Sequence, residues 1–248
     1  MPFLSIVIPA YNEIENLNKN VLASADEYLK TQKYDWEVIV VDDGSTDGTA
    51  EKLSGWIKSH PGWYLVKNPH QGKAAAVKAG IIKANGGYIL FTDFDQATPL
   101  SEIEKLIPFI KKDYQIVIGS REVKGSQRLG EPRYRHLMGK VFNFAVQTIA
   151  IGGIHDTQCG FKLFTNQAAK DLFNSFIVYG NGIEKQAFTG AFDVELLYIA
   201  QKRGYRIAEI PVSWRHVKTN RVNPVRDSIR MFLDILKIRW AALSGSYS

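Results

Sequence analysis

Cysteine is nearly missing from this 248-residue chain. The single thiol, Cys159, excludes an intrachain disulfide framework and a cysteine zinc cluster, and it fits a reducing compartment. Long hydrophobic runs are missing too: nothing approaches the roughly 18 consecutive apolar residues that a membrane-spanning helix needs. A strand-like run begins at Phe3, which leaves no room for a secretory signal and leads us to expect only peripheral membrane contact. No G-x-G-x-x-G follows that run, which argues against a dinucleotide oxidoreductase. Repeats, low-complexity tracts and a clear domain linker are absent, as is the interleaving of basic and aromatic residues found in nucleic-acid binders.

What is present is a chain that can bury a sizeable core. Hydrophobic residues make up 45% and charged residues 23%, which fits one large α/β domain or two small ones. Lys and Arg (31) exceed Asp and Glu (25), for a net charge of +6, with much of the excess after residue 120. Such a balance favours an anionic partner: a sugar nucleotide, a lipid phosphate, a membrane surface or nucleic acid, the last set aside because basic and aromatic residues do not interleave.

The first half alternates apolar runs with helical patterns. Strands are expected at 3–8, 36–41, 63–67 and 88–92, and helices at 14–31, 47–59 (with Asp47 as N-cap) and 72–84. Near-continuous apolar strands between helices imply a mostly parallel sheet covered on both faces. In the second half we expect helices at 101–112, 134–151, 191–203 and 225–243. Strands are expected at 114–119, 161–164 and 205–212, and a polar loop at 122–132.

The polar clusters fall at the C-terminal ends of the expected strands, where open α/β sheets bind ligands. Asp93-Phe94-Asp95 follows Tyr88–Phe91. Two carboxylates at i and i+2 there can turn toward one hard cation, Mg²⁺ or Mn²⁺, which also takes phosphate oxygens from a substrate. Alone, such a pair is as well read as two solvated acids. Asp42 and Asp43 end another strand, and either can accept a hydrogen bond from a base N–H or a ribose hydroxyl. Lys73 opens a helix after Gly72, a place suited to phosphate, or is an ordinary surface lysine.

In order, Ser5–Glu13, Val38–Thr49, Gly72-Lys73-Ala74 and the Asp-x-Asp resemble the family-2 glycosyltransferases of the GT-A fold, over residues 3 to about 240. His155–Phe164 and Ala191–Leu197 are similar to the branch that glucosylates dolichyl or polyprenyl phosphate. The resemblance implies a GT-A α/β fold in residues 1–224, with a nucleotide-sugar half (1–100) and an acceptor half (101–224), followed by an amphipathic segment at 225–248. It implies that Pro9, Tyr11 and Glu13 frame the nucleoside and that Asp193 is the base-position carboxylate of an inverting enzyme. Asp95, helped by Asp93, would hold the metal against a departing diphosphate. Arg121 and Arg135 become acceptor-phosphate candidates, with Arg128 and Arg133 behind them. Lys162 could reach phosphate too, or be a strand-edge lysine. The donor is expected to be UDP-glucose and the acceptor a polyprenyl or dolichyl phosphate. GDP-mannose or a soluble acceptor is the alternative, and a non-catalytic nucleotide-sugar binder is a distant one.

A lipid acceptor requires a membrane. In the last expected helix Ile229, Phe232, Leu233, Leu236, Trp240 and Leu243 form one apolar stripe flanked by Arg226, Arg230, Lys237 and Arg239. That pattern suits the surface of an anionic bilayer, on its cytoplasmic face, or packing on the protein's own core. Helical residues 138–151, with Met138, Val141, Phe142, Ala145, Val146 and Ile149, are similarly apolar and fit either surface, and the basic segment His216–Arg226 is expected to loop over the donor or acceptor.

Overall fold

Apolar runs of the first half form strands close to their expected places. They are β1 (Leu4–Ala10), β2 (Trp36–Asp42), β3 (Trp63–Lys67) and β4 (Tyr88–Thr92). Between them lie α1 (Ile14–Asn18), α2 (Val21–Lys30), α3 (Thr49–Ile57) and α4 (Lys73–Lys83). Beyond β4 come α5 (Ile103–Ile110), β5 (Ile116–Ser120), β6 (Gln127–Leu129) and α6 (Arg133–Ile149). The chain continues through β7 (Phe161–Thr165), α7 (Asn166–Asn174), α8 (Phe192–Lys202), β8 (Ile207–Pro211), β9 (Ser213–Arg215) and α9 (Pro224–Leu243). This computed structural model describes residues 1–180, 190–217 and 224–247.

Seven strands make one sheet in the order β3-β2-β1-β4-β7-β5-β8. All neighbours are parallel except β7, which runs antiparallel to both β4 and β5. Alternate side chains go to opposite faces. Val7, Ile39, Phe91, Ile118 and Phe164 join a core under α4, α7, α8 and α9, while Ile6, Ile8, Val40, Leu90 and Leu163 join a second core under α1, α2 and α5. Each fully buried aliphatic or aromatic side chain contributes about 1.5–3 kcal/mol. The first core is tight: a Cβ on Gly80 of α4 would come within 2.4 Å of Val7 Cγ1, so helix and strand backbones approach as only glycine permits.

The structure departs from the expected elements in four places. The helix expected at 14–31 is broken, because Asn20 adopts a left-handed conformation (φ 56°, ψ 38°) between α1 and α2, a conformation Asn tolerates. Asp47 lies one residue before the N-cap of α3, which is Gly48, but its carboxylate still accepts from Thr49 N (3.0 Å). The polar stretch 122–132 contains β6, which pairs in parallel with β9 in a separate two-stranded sheet. Helix α7 was not foreseen; Thr165 caps it by accepting from Ala168 N.

The C-terminal helix is part of the same body. Ile235, Ile238 and Ala241 of α9, and Tyr247 beyond it, are buried in the first core.

Candidate active site

Because β1, β2 and β4 run parallel and in register, the segments leaving their C-terminal ends share one edge of the sheet. Antiparallel β7 enters at that same edge: Phe161 pairs with Thr92. The turn before β7, Asp156–Gly160, therefore lies between Asp93–Asp95 and the end of β5, where Arg121 begins.

On the β1–β2 side, Asn12 and Glu13 are tied to the segment after β2. Asn12 N donates to Ser45 Oγ (2.9 Å), Glu13 N to Thr49 Oγ1 (2.7 Å) and Ile14 N to Asp47 Oδ2 (3.1 Å). Glu13 itself accepts from Asn16 Nδ2 (2.6 Å). Pro9 is inside β1, opposite Val41. The rings of Tyr11 and His70 stack at 4.1 Å and 11°. Nothing in the sequence pattern pointed to His70.

The structure separates Asp42 from Asp43. Asp43 is committed to the 68–72 turn: it accepts from Asn68 Nδ2 (2.9 Å), Gln71 N (3.1 Å) and Gly72 N (2.8 Å), and His70 Nδ1 lies 2.9 Å from Oδ2. Its work is to shape the loop that delivers Lys73. Asp42 keeps a buried oxygen, Oδ1, with no protein partner, the state expected of a group that meets water or ligand.

Asp93 Oδ1 pairs with Lys73 Nζ at 2.6 Å. Asp93 N donates to Gly160 O (3.2 Å), and a Cβ on Gly160 would lie 2.0 Å from Asp93 Oδ2. Phe94 is buried in the second core, so the aromatic residue between the aspartates points away from the site. Asp95 Oδ1 accepts from Ala97 N (3.0 Å). Burial, reinforced by the Asp93 charge, pushes the Asp95 carboxyl up to about 6. Burial opposes the charge on Lys73, yet the carboxylates of Asp93, Asp193 and Asp95 outweigh it and hold its pKa above the usual lysine value. No cluster of three or more His, Cys, Asp or Glu side chains suited to a metal occurs among the described residues.

Lys162 requires a correction. It is neither a strand-edge lysine nor a cation facing outward for phosphate. It sits in central β7 between Phe91 and Ile118 and is fully buried. Its Nζ donates to Asp193 Oδ1 and Cys159 O, both at 2.5 Å, and lies 6.0 Å from the Phe91 ring centroid. Asp193, in the first turn of α8, is equally buried. Burial raises its pKa against the opposing pull of Lys162 and Lys73.

Arg121 is less free than its sequence context suggests. Nε and Nη2 fork onto Asp156 at 2.8 and 2.9 Å, and the guanidinium lies 5.4 Å from the Trp214 ring. Burial works against its charge, but Asp156 outweighs that and raises the arginine pKa; Arg121 in turn keeps the buried Asp156 carboxyl low. No hydrogen bond from Arg121 Nη1 occurs among the described residues, and the side chain is mostly buried. Arg128 is occupied by Glu122 and Glu131. Arg133 is exposed at the start of α6. The Arg135 side chain, and residues 218–223 of the basic segment, lie outside the described residues. Cys159 is buried and its thiol is pushed up to about 12 by burial and Asp156, so it is an inert packing residue.

Sequence reasoning missed Glu195, a buried acid two residues after Asp193. It accepts from the backbone N–H groups of Ile177, Val178 and Tyr179 (2.7, 2.7 and 3.0 Å) and from the Tyr247 hydroxyl (2.7 Å). An acid inside an apolar helical run was the available signal, since buried carboxylates need partners.

A mostly parallel sheet with carboxylates gathered at its strand ends defines a GT-A-type α/β protein. The chain belongs to glycosyl transferase family 2, whose profile matches residues 5–173. It is 37% identical over 257 residues to the dolichyl-phosphate beta-glucosyltransferase of Dictyostelium discoideum, across 98% of this chain and 76% of that protein. The human dolichyl-phosphate beta-glucosyltransferase is similar at 37% over 261 residues, across 98% and 77%. Among solved structures, glucosyl-3-phosphoglycerate synthase from Mycobacterium tuberculosis, in complex with Mn²⁺, UDP and glucosyl-3-phosphoglycerate, shares the fold at a TM-score of 0.64. Its identity is 18%, across 96% of this chain and 80% of that one.

Proposed function

We propose that this protein transfers glucose, with inversion, from UDP-glucose to a dolichyl or polyprenyl phosphate. The observation that carries this reading is the similarity, along almost the whole chain, to dolichyl-phosphate beta-glucosyltransferases from distant organisms. The site chemistry supports it. An acceptor phosphate oxygen forms the bond to the anomeric carbon, and the bond from that carbon to the diphosphate breaks with its electron pair. With a second pKa near 6, as for a phosphomonoester, the acceptor is mostly dianionic at neutral pH and needs no general base. Asp193, buried and bound to Lys162, then serves by placing charge and shape around the reacting carbon.

The Asp93–Asp95 pair fits Mg²⁺ or Mn²⁺. Two carboxylates lie close enough for the Asp93 charge to help raise the Asp95 pKa, and a cation held by these two would take its remaining ligands from diphosphate oxygens and water. A bound cation would offset the charge developing on the leaving diphosphate. Lys73 adds a second positive charge on the same side. Arg121 offers its Nη1 edge to the acceptor phosphate.

The acceptor's lipid tail calls for a bilayer, and two helices offer a surface for one. On α9 the six stripe residues are all exposed, including Trp240 at 75%. At about 100° per residue they fall opposite buried Ile235, Ile238 and Ala241. On α6, which packs against α9, Tyr134, Leu137, Val141 and Phe144 are exposed at the same helical spacing. Exposed Arg133, Lys140, Arg226, Lys237 and Arg239 accompany these stripes, as suits anionic lipids of a cytoplasmic leaflet. No described helix is long and apolar enough to cross a membrane.

The test is label transfer to a short-chain polyprenyl phosphate in detergent with Mn²⁺ or Mg²⁺, running UDP-glucose, GDP-mannose and UDP-N-acetylglucosamine in parallel. A lipid-soluble product from UDP-glucose alone is expected. Product from GDP-mannose alone overturns the donor assignment. Metal-dependent donor hydrolysis without lipid product overturns the acceptor.

A further inference from the structure

The outer face of α9 is apolar and exposed, but its inner face holds the start of the helix that carries Asp193. Helix α8 has no side-chain cap at its N-terminus. Instead, Ala191 N donates to the Tyr179 hydroxyl at 2.5 Å, and that hydroxyl donates to Asp234 Oδ2 of α9 at 2.5 Å. Asp234 is itself buried and paired with Lys237 at 2.9 Å. One turn into α8, Glu195 gathers three successive N–H groups, those of Ile177 and Val178 on Oε1 and that of Tyr179 on Oε2, and Oε1 also takes the hydroxyl of Tyr247, which follows α9. Burial and the neighbouring acids raise the pKa of both phenols, so they remain donors at any physiological pH. Asp193, two residues after Ala191, meets Lys162 at 2.5 Å with both side chains buried, a geometry sensitive to a shift of the helix start.

We propose that Tyr179 and Tyr247 are positioning residues for Asp193, through which the seat of α9 on a bilayer sets the rate of sugar transfer. This rests on the bilayer reading above. The physical logic is that a surface binding the outer stripe favours one seat of α9. Two phenolic hydrogen bonds then carry that seat to Ala191 and Glu195, and so to the Asp193–Lys162 pair. The two phenols between them bind groups at α8 and α9, so their effect is expected in the transfer step and not in donor binding.

The experiment uses the full chain with a short-chain polyprenyl phosphate kept soluble as monomer, so that the acceptor itself needs no bilayer. The kcat, and the KM for UDP-glucose, are measured with and without vesicles of mixed neutral and anionic phospholipid. Vesicle binding is followed separately by flotation. Wild type is expected to float and to gain about tenfold in kcat on vesicles, the worth of one to two buried hydrogen bonds. Its KM for UDP-glucose should stay unchanged. Tyr179→Phe keeps its ring packing beside Phe176 and Phe192; it should still float and still bind donor, but lose the stimulation. Asp234→Asn, which alters the same link from the α9 side, should behave likewise and covers the case in which Tyr179→Phe fails to fold. Wild type that does not float overturns the bilayer reading and this proposal with it. Wild type that floats but shows equal rates on and off vesicles, or variants that keep full stimulation, overturns the proposal alone.

Discussion

Replacing Lys162 with Met tests the buried centre most directly. The substitution keeps an unbranched side chain in β7 but removes the ammonium that meets Asp193 Oδ1 and Cys159 O, both at 2.5 Å. Asp193 is then a carboxylate at 2% exposure without its partner. Removing one member of a buried pair costs about 3–5 kcal/mol, because the survivor stays desolvated and unpaired. Part of that cost can be escaped by protonation. In the native protein burial already raises the Asp193 pKa, and Lys162 is the strongest influence pulling it back; without Lys162 the pKa climbs further. A carboxyl whose folded pKa exceeds its unfolded value favours the folded state most at pH below the unfolded value. That contribution is lost as pH rises through the folded pKa. The difference in stability between wild type and Lys162→Met should therefore be largest at pH 8 and shrink toward pH 5. Urea unfolding at pH 5 and pH 8 measures it through the midpoint and slope. An equal loss at both pH values, or a loss under about 1 kcal/mol at pH 8, would mean that Asp193 is not left as a buried, unpaired carboxylate, and would refute the reasoning.

Three further outcomes follow from the same geometry. Asp95→Asn should abolish metal-dependent turnover of UDP-glucose while leaving the thermal midpoint near that of wild type; normal turnover would sink the metal assignment. Gly160→Ala places a methyl 2.0 Å from the Asp93 carboxylate; turnover should collapse with the fold retained by circular dichroism, and full activity would mean that Asp93 can sit elsewhere. Trp240→Ser removes the most exposed large side chain among the stripe residues of α9. Losing burial of one aromatic, about 1.5–3 kcal/mol, should weaken vesicle partitioning about ten- to hundredfold in flotation, with activity in detergent unchanged.

The sheet was legible because its strands are continuous apolar runs, the pattern of a sheet covered on both faces. The elements that escaped notice carry weaker local signals. Strand β6, Gln127-Arg128-Leu129, has no alternation of its own and exists only because β9 pairs with it across a long separation. The break at Asn20 depends on a single backbone conformation that no periodicity announces. The stripe on α9 was legible, but its direction was not. Ile235, Ile238 and Ala241 form the opposite, equally helical set, and periodicity alone cannot say which of two apolar faces meets the core.

The site residues divide along the same line between local and long-range information. Asp93 and Asp95 follow their strand directly, and their position at the sheet edge is a consequence of parallel register. The partners of Asp43, Arg121 and Lys162 are not local: they come from the 68–72 turn, from Asp156 and from Asp193. Reading Lys162 as a group facing ligand assumed that a charged residue near a strand end meets solvent. Antiparallel β7 defeats that assumption. It brings the Asp156–Gly160 turn to the ligand edge and carries Lys162 into the sheet interior, where a lysine persists only beside a carboxylate. Phe161-Lys162-Leu163-Phe164 held the clue: a lysine alternating with residues buried on both faces has no route to water. The nearest unexplained acid in an apolar helix, Asp193, is the partner such a lysine demands. What a buried charge requires, rather than what an exposed one could bind, connects β7 to α8. Lys162 thereby belongs with Asp193 in the sheet interior, and Arg121 is the cation we propose for the acceptor phosphate.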